Sequence, residues 1–236
     1  MKRDHSEWAI QILKKADPLF RHPWVTYNQK VRSLLAPQSV WIEGGCGDNG
    51  LIRAHGHLAK TAVGVDLIAP PESPGNFVMA DLNNLPFLSR CADLITLCFV
   101  AEHLQDLKRP MLEIRRVLNK KGKVVILTTN SLSPQIFLPR LLLPYRLRQK
   151  ILTRYWRTSR EKVFPTSRRY RGPRRLAAAG KDLHLERLDF FSDINYQRRW
   201  IFIVQLLWHL LTRPKPLEKF RTTVLISLEK HPSDED

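Results

Sequence analysis

Residues 40–50, VWIEGGCGDNG, constrain the fold more than any other stretch of this chain. They read as a buried strand that ends on an acid, Glu43, and runs directly into a glycine-rich turn. Glycines at 44, 45, 47 and 50 leave the backbone bare where a ligand can lie against it, and they permit positive φ at little steric cost. A strand that feeds such a loop is built to hold something.

The acid decides what the loop holds. Gly45, Gly47 and Gly50 formally satisfy the G-x-G-x-x-G spacing of dinucleotide sites, and Asp66 follows at about the ~20-residue distance of a ribose-binding acid. A dinucleotide, however, brings a doubly charged pyrophosphate to the loop, and a carboxylate at the strand end would repel it with little water to screen the pair. S-adenosylmethionine has no phosphate. Its ammonium and sulfonium would be attracted by Glu43, directly or through the orientation of the loop amides. Ligand charge therefore favours S-adenosylmethionine over NAD.

The next segments alternate strand and helix. Residues 61–66 (TAVGVD) read as a second strand ending on Asp66, suited to accept both ribose hydroxyls. A third strand near residues 76–80 leads to Asp81 and Leu82, where the carboxylate can accept from an adenine amino group while the leucine packs on the ring. Residues 92–99 (ADLITLCF) form a nearly unbroken apolar run, as expected in a sheet covered on both faces. A helix over 107–118 follows, with Met111, Leu112, Ile114, Val117 and Leu118 mostly on one face; Gly122 is expected to stop it and a fifth strand to fill 123–129. Farther on, 171–179 reads as a helix closed by Gly180, 184–191 as the sixth strand and 221–229 as the last.

In order and spacing the elements IEGGCG, VGVD, ADLNNLPF, CADLITLCFVAEHL, RVLNKKG and ILTTN resemble the class I S-adenosylmethionine-dependent methyltransferases, closest to a broad bacterial group that includes ubiquinone-pathway enzymes. The resemblance covers roughly residues 36–130. It implies an α/β, Rossmann-like fold: a seven-stranded, mostly parallel sheet with helices on both faces and an antiparallel last strand. It also implies a cofactor site built from Glu43, Gly44, Gly45, Cys46, Gly47, Asn49 and Gly50, with Asp66 and Leu67, Asp81 and Leu82, and Cys98 and Phe99. His103, after the fourth strand at the mouth of the cleft, is the candidate general base, and Glu102 beside it is read as structural. Two departures stand out. Asn49 occupies the place of the loop's last glycine in many members; asparagine tolerates the left-handed conformation best after glycine, so binding is expected to be retained but weaker. Phe99 stands where some relatives carry an acid that helps hold a divalent metal, so no metal is expected.

The implied organisation is a helical cap over 1–35, the cofactor-binding core over 36–130, a basic insertion or lid over 131–172 for substrate recognition, the rest of the sheet over 173–230, and a short tail, 231–236. In the cap, Tyr27 and Asn28 are weighed as cofactor contacts, with packing the favoured reading. Cys46, Cys91 and Cys98 are odd in number and lack metal-type spacing, which points to a reduced compartment. The first twenty residues lack the compact apolar segment of a secretion signal, so the expectation is a cytoplasmic protein, with peripheral attachment at the inner membrane face left open.

Charge is the second strong signal. The chain carries a formal net charge of +17, and between Arg140 and Arg175 thirteen basic residues are opposed by Glu161 alone. Pro134, Pro139 and Pro144 are expected to break this region before one amphipathic helix with Leu147, Ile151, Leu152 and Tyr155 on a face. Such a helix suits an anionic membrane surface, and equally RNA phosphates. Residues 200–211 (WIFIVQLLWHLL) are apolar around nearly the whole circumference, yet at twelve residues they are too short to span a bilayer, which needs about 20. They are a buried helix, a wall for a lipophilic acceptor, or an interfacial anchor. The run favours a small-molecule or lipid-linked acceptor over RNA, since no separate RNA-binding module is evident. Oligomeric state is left open.

Overall fold

The structure is a computed structural model in which residues 4–70, 76–144, 147, 173–179, 183–196 and 198–231 are described. In chain order these form α1 (Asp4–Ala16), α2 (Pro23–Leu34), β1 (Val40–Gly44), α3 (Gly50–His55), β2 (Thr61–Asp66), β3 (Phe77–Met79), β4 (Ala92–Cys98), α4 (Lys108–Val117), β5 (Leu118–Thr129), α5 (Pro134–Leu142), α6 (Pro173–Ala179), β6 (Leu183–Phe191), α7 (Arg199–Leu211) and β7 (Thr223–Lys230). The strands make one seven-stranded sheet in the order β3-β2-β1-β4-β5-β7-β6. Pairs β3-β2, β2-β1, β1-β4 and β4-β5 are parallel, and β7 runs antiparallel at the β5-β7-β6 edge. This is the expected Rossmann-like sheet, with every predicted strand present.

The chain divides into two compact units. One comprises residues 27–128, 164–189 and 225–236, and it contains β1 to β4 with most of β5, β6 and β7. Its centre is the apolar run foreseen for a doubly covered sheet: Leu94, Ile95 and Leu97 of β4 and Val124 to Leu127 of β5 are buried. Trp41 of β1 is buried too, and its indole Nε1 donates to Thr96 Oγ1 at 2.9 Å. Because β1 is flanked by β2 on one side and β4 on the other, the strand order reverses beside it; in open α/β sheets, ligands bind beyond the carboxyl ends of strands at such a switch point. Helix α4 buries Met111, Ile114 and Val117. Its last carbonyls are satisfied by Lys230, buried on β7, whose ammonium donates to Arg115 O and Leu118 O at 2.8 Å each.

Two boundary expectations are corrected. Gly122 does not stop α4: the helix ends at Val117, where Leu118 already pairs with Ala92 as the first residue of β5. Gly122 lies in an irregularity of that strand, after Lys121 at φ 63°, and a Cβ there would sit 3.0 Å from Asn119 O. Pro134 and Pro139 do not break the chain either, whereas Pro144 lies just beyond α5, which ends at Leu142. Pro134 occupies the first turn of α5, where its missing N–H is no loss, and Pro139 is carried inside the same helix.

The second unit comprises residues 1–26, 129–163 and 190–224. In it α1 and α7 share a core of Ala9, Leu13, Ile194, Phe202 and Leu206, with Trp8 edge-on to Phe202 at 5.5 Å between ring centres. A polar group is buried within this unit: His209 Nε2 lies 2.9 Å from Asp17 Oδ2, and Nδ1 lies 3.0 Å from Ser192 Oγ. The apolar run of α7 is thus half buried; Ile201, Phe202 and Leu206 face the core while five large apolar residues face outward. Of the basic stretch, the predicted helix through Ile151, Leu152 and Tyr155 lies outside the described residues, as do Gly180 and residues 232–236.

Candidate cofactor-binding site

The first unit carries the predicted loop at the carboxyl end of β1. Gly45 and Cys46 both donate their amides to Val65 O of β2, at 2.7 and 3.1 Å, which pins the loop across the strand ends. Gly45 has φ +67°, and a Cβ on it would fall 2.2 Å from Val100 Cγ2, so no other residue fits. Gly47 also has positive φ, yet nothing lies within 4 Å of its Cβ position. That bare, open backbone is the kind a ligand can approach. Gly44 is closed over by Leu82 and Leu97, whose methyls would stand 2.8 and 2.7 Å from a Cβ.

Asn49 adopts φ 59°, ψ 26°, the left-handed conformation foreseen for it, immediately before α3 begins at Gly50. Its fully buried side chain lies over Gly64 of β2: a Cβ on Gly64 would be 2.1 Å from Asn49 Oδ1. Nδ2 reaches Asn76 O at 3.5 Å, and Gly64 N donates to the same carbonyl at 2.8 Å. The departure from glycine at 49 is therefore accommodated by a glycine at 64.

Acids gather around the loop. Asp66 accepts from Gly47 N at 2.8 Å through Oδ2 and from Ile68 N at 3.4 Å through Oδ1. It holds the loop in place and leaves the adjoining Leu67 exposed. Asp81 Oδ1 accepts from the amide and the side chain of Asn83 at 2.9 and 2.8 Å, which closes a turn, and Leu82 is buried beside it. Glu43 is the exceptional group. It is 4% exposed, and burial first, then the charge of Asp48, pushes its carboxyl up to about 8, against a hydrogen bond from the Ile52 backbone and with a smaller push from Asp66. Its Oε2 is buried with no hydrogen-bond partner among the described residues. A buried carboxyl oxygen left over, with two further acids near, fits a cationic ligand and opposes an anionic one.

The fourth-strand end completes the site. Phe99 takes φ 54° and donates its amide to Leu127 O at 2.7 Å, so the chain turns sharply after Cys98. His103 follows in a turn closed by its own amide on Val100 O at 2.9 Å, and is half-buried. Glu102 is buried and accepts from Thr128 Oγ1 at 2.7 Å, tying this turn to the end of β5. The thiols are held protonated: burial, then Glu43, pushes Cys46 up to about 12, and burial drives Cys98 up as well. Tyr27 is fully buried and its hydroxyl is raised above 10.0, by burial first and then by Cys98 and Glu43. Asn28 lies 3.1 Å from His55 Nε2, which makes it a packing partner of α3. Neither Val100, the side chain that demands glycine at 45, nor Thr96, bonded to Trp41, could be singled out beforehand. Both are ordinary residues whose importance comes from neighbours distant in sequence.

Residues 42–126 match the family described as Methyltransferase domain. Over those residues the chain carries a methyltransferase domain of the class I S-adenosylmethionine-dependent kind. It is 45% identical over 53 residues to the demethylmenaquinone methyltransferase of Thermotoga maritima; the match covers 22% of this chain and 23% of that protein. The chain thus spans about a quarter of the curated relative it matches. Among solved structures it is similar to geranyl diphosphate C-methyltransferase from Streptomyces coelicolor A3(2), in complex with Mg2+, geranyl diphosphate and S-adenosyl-L-homocysteine (TM-score 0.55, 16% identity, 87% of this chain and 78% of that one). It is also similar to an S-adenosylmethionine-dependent methyltransferase from Mesorhizobium loti (TM-score 0.54, 18% identity, 86% and 96%). At these identities the likeness is one of fold. The methyltransferase domain match and the S-adenosyl-L-homocysteine in the first of these structures agree with S-adenosylmethionine as the cofactor.

Proposed function

We propose that the protein transfers the methyl group of S-adenosylmethionine to a small-molecule or lipid-linked acceptor, with the membrane surface as the place where it meets the lipid-linked kind. The observation that carries the cofactor half of this reading is the buried oxygen of Glu43, without a hydrogen-bond partner among the described residues, on the strand that feeds the loop with the bare Gly47 backbone. Glu43 would take the ammonium end, the loop of Gly44, Gly45, Cys46, Gly47, Asn49 and Gly50 would line the cofactor, Asp66 and Leu67 would hold the ribose and Asp81 and Leu82 the adenine, with Cys98 and Phe99 at the end of β4 as further contacts. Bound there, S-adenosylmethionine would supply an activated methyl carbon for transfer to the acceptor's lone pair, with the thioether as leaving group. The chain's own work is then to hold acceptor and sulfonium in line and to exclude water, a task for which proximity alone can supply about 7–11 kcal/mol. His103 would take the proton from an acceptor hydroxyl; an acceptor that is already anionic or carries a free amine needs less of it.

The relatives' names carry demethylmenaquinone and geranyl diphosphate, and an apolar acceptor of that kind is consistent with the exposed apolar helices of the second unit. The basic insertion over 131–172 would recognise the acceptor or the surface that delivers it. Calorimetry tests the cofactor reading: S-adenosylmethionine and S-adenosylhomocysteine should bind the protein in the micromolar range and NADH should not. Failure of both sulfur compounds to bind would leave a basic binding protein on a methyltransferase fold.

A further inference from the structure

Helix α7 has two faces of opposite fate. At about 100° per residue, Trp200, Ile203, Val204, Leu207 and Leu211 fall within an arc of roughly 100°, and each is 47–61% exposed. Phe202, Leu206 and His209, centred on the other side, are buried. The outward arc contains no polar residue. Cations close it at both ends: Arg198 and Arg199 before it, Arg213, Lys215 and Lys219 after it, all exposed. Monomeric soluble proteins rarely leave so continuous an apolar stripe to water. No helix among the described residues is long and apolar enough to cross a membrane, and α7, at thirteen residues, is suited to lie in a surface rather than through it.

We infer that the outward face of α7 docks the protein on an anionic lipid bilayer, with the helix in the plane of the interface, Trp200 at headgroup depth and the terminal cations among the lipid phosphates. Charge selects this occupant. A second copy would bring another +17 against the first, whereas an anionic leaflet attracts cations at both ends of the stripe while its acyl boundary takes the five apolar side chains. Helix α5 of the same unit exposes Phe137, Leu138, Leu141 and Leu142 as well, so the unit is apolar on more than one helix. This gives the membrane reading of the proposed function a definite surface; it does not depend on methyl transfer, and its test reads none.

The experiment is flotation of the full chain with vesicles of phosphatidylcholine alone or mixed with phosphatidylglycerol. The wild type should float with the mixed vesicles. Leu207→Gln should partition about tenfold less, the loss expected for one well-buried apolar side chain, and Arg198→Gln with Arg199→Gln about fivefold less for each charge. Leu88→Gln, an exposed leucine of the other unit, should change nothing. Trp200→Phe should float normally and lose quenching by brominated lipid. Each variant is checked for an unchanged circular dichroism spectrum, and since the positions are exposed the fold should hold. Equal flotation of Leu207→Gln and wild type would overturn the inference, as would concentration-dependent dimerisation abolished by Leu207→Gln, which would make the stripe a subunit interface. Competition by RNA that removes flotation of the wild type and leaves no effect of Leu207→Gln would assign the binding to basic side chains alone and overturn it too.

Discussion

Replacing Glu43 by glutamine should make the ligand-free protein more stable and its cofactor affinity worse, with both effects growing as pH rises. The carboxyl is raised from 4.5 to about 8 by burial and by Asp48. Between those values the folded state holds a proton that the unfolded state has released, so stability falls as pH rises through the window and is level above it. At about 1.36 kcal/mol per pKa unit the full penalty is on the order of 5 kcal/mol, reached near pH 8, whereas below the unfolded value there is none. A glutamine side chain has no charge to bury and can still accept from the Ile52 amide. Urea denaturation of both proteins from pH 5 to 9, followed by circular dichroism, should show the two curves separating by several kcal/mol toward the alkaline end.

Cofactor binding should run the other way. If the cation binds only the ionised carboxylate, about one molecule in ten is ready at pH 7, and the affinity of the wild type relative to Glu43→Gln should rise roughly tenfold between pH 7 and 9. The ligand's own α-amino group titrates near 7.7–8.0 if it behaves as an ordinary one, so the informative quantity is the difference between wild type and Glu43→Gln in the same buffers. Parallel stability curves for the two proteins would refute the buried-carboxyl argument. Equal affinity for S-adenosylmethionine at pH 9 would refute the role of Glu43 in the site.

Gly64→Ala should strain the loop, because its Cβ meets Asn49 Oδ1 at 2.1 Å; adding Asn49→Gly should recover part of the loss, an interaction of about 1–3 kcal/mol read from a double-mutant cycle in thermal melts. His103→Ala should lower turnover on a hydroxyl acceptor by about 10²–10⁴-fold with cofactor affinity unchanged in calorimetry, the signature of a proton acceptor rather than a binding contact. Lys230→Met should cost about 2–4 kcal/mol in denaturant melts, since it strips charged donors from the carbonyls of Arg115 and Leu118 that close α4. His209, lowered from 6.5 chiefly by burial, stays neutral in the fold while the unfolded chain protonates, so stability is present above about pH 6.5 and declines as pH falls; His209→Gln should flatten that acid limb in melts from pH 7 to 5.

What is legible in the sequence follows from how locally each feature is determined. The strands announce themselves because a doubly covered sheet demands unbroken apolar runs, and 92–98 and 123–129 supply them. The end of α4 does not, because it is set by pairing of Leu118 with Ala92, a partner 26 residues away, and not by the glycine that follows. Pro139 misleads for a related reason: in the sixth of the nine positions of α5 it removes one backbone donor, and the helix continues through it to Leu142. In α7 the composition is plain and the orientation is not, since a run apolar all round says nothing of which side meets α1 until Ala9 and Leu13 are placed against Phe202 and Leu206.

At the cofactor site the same distinction separates charge from geometry. The sign of the ligand can be argued from Glu43 alone, because the ionised carboxylate at a strand end attracts a cation and repels phosphate. The strength of that preference cannot, since it depends on Asp48, Asp66 and the Ile52 backbone converging on one buried carboxyl. Asn49 shows the converse. As a substitution for a loop glycine it points to a weakened site, yet its left-handed backbone and its seat over Gly64 make it a packed element of the loop. A residue that departs from a family pattern is thus to be judged with the neighbour that receives it, and for Asn49 that neighbour is a glycine whose own reason for being one is the asparagine.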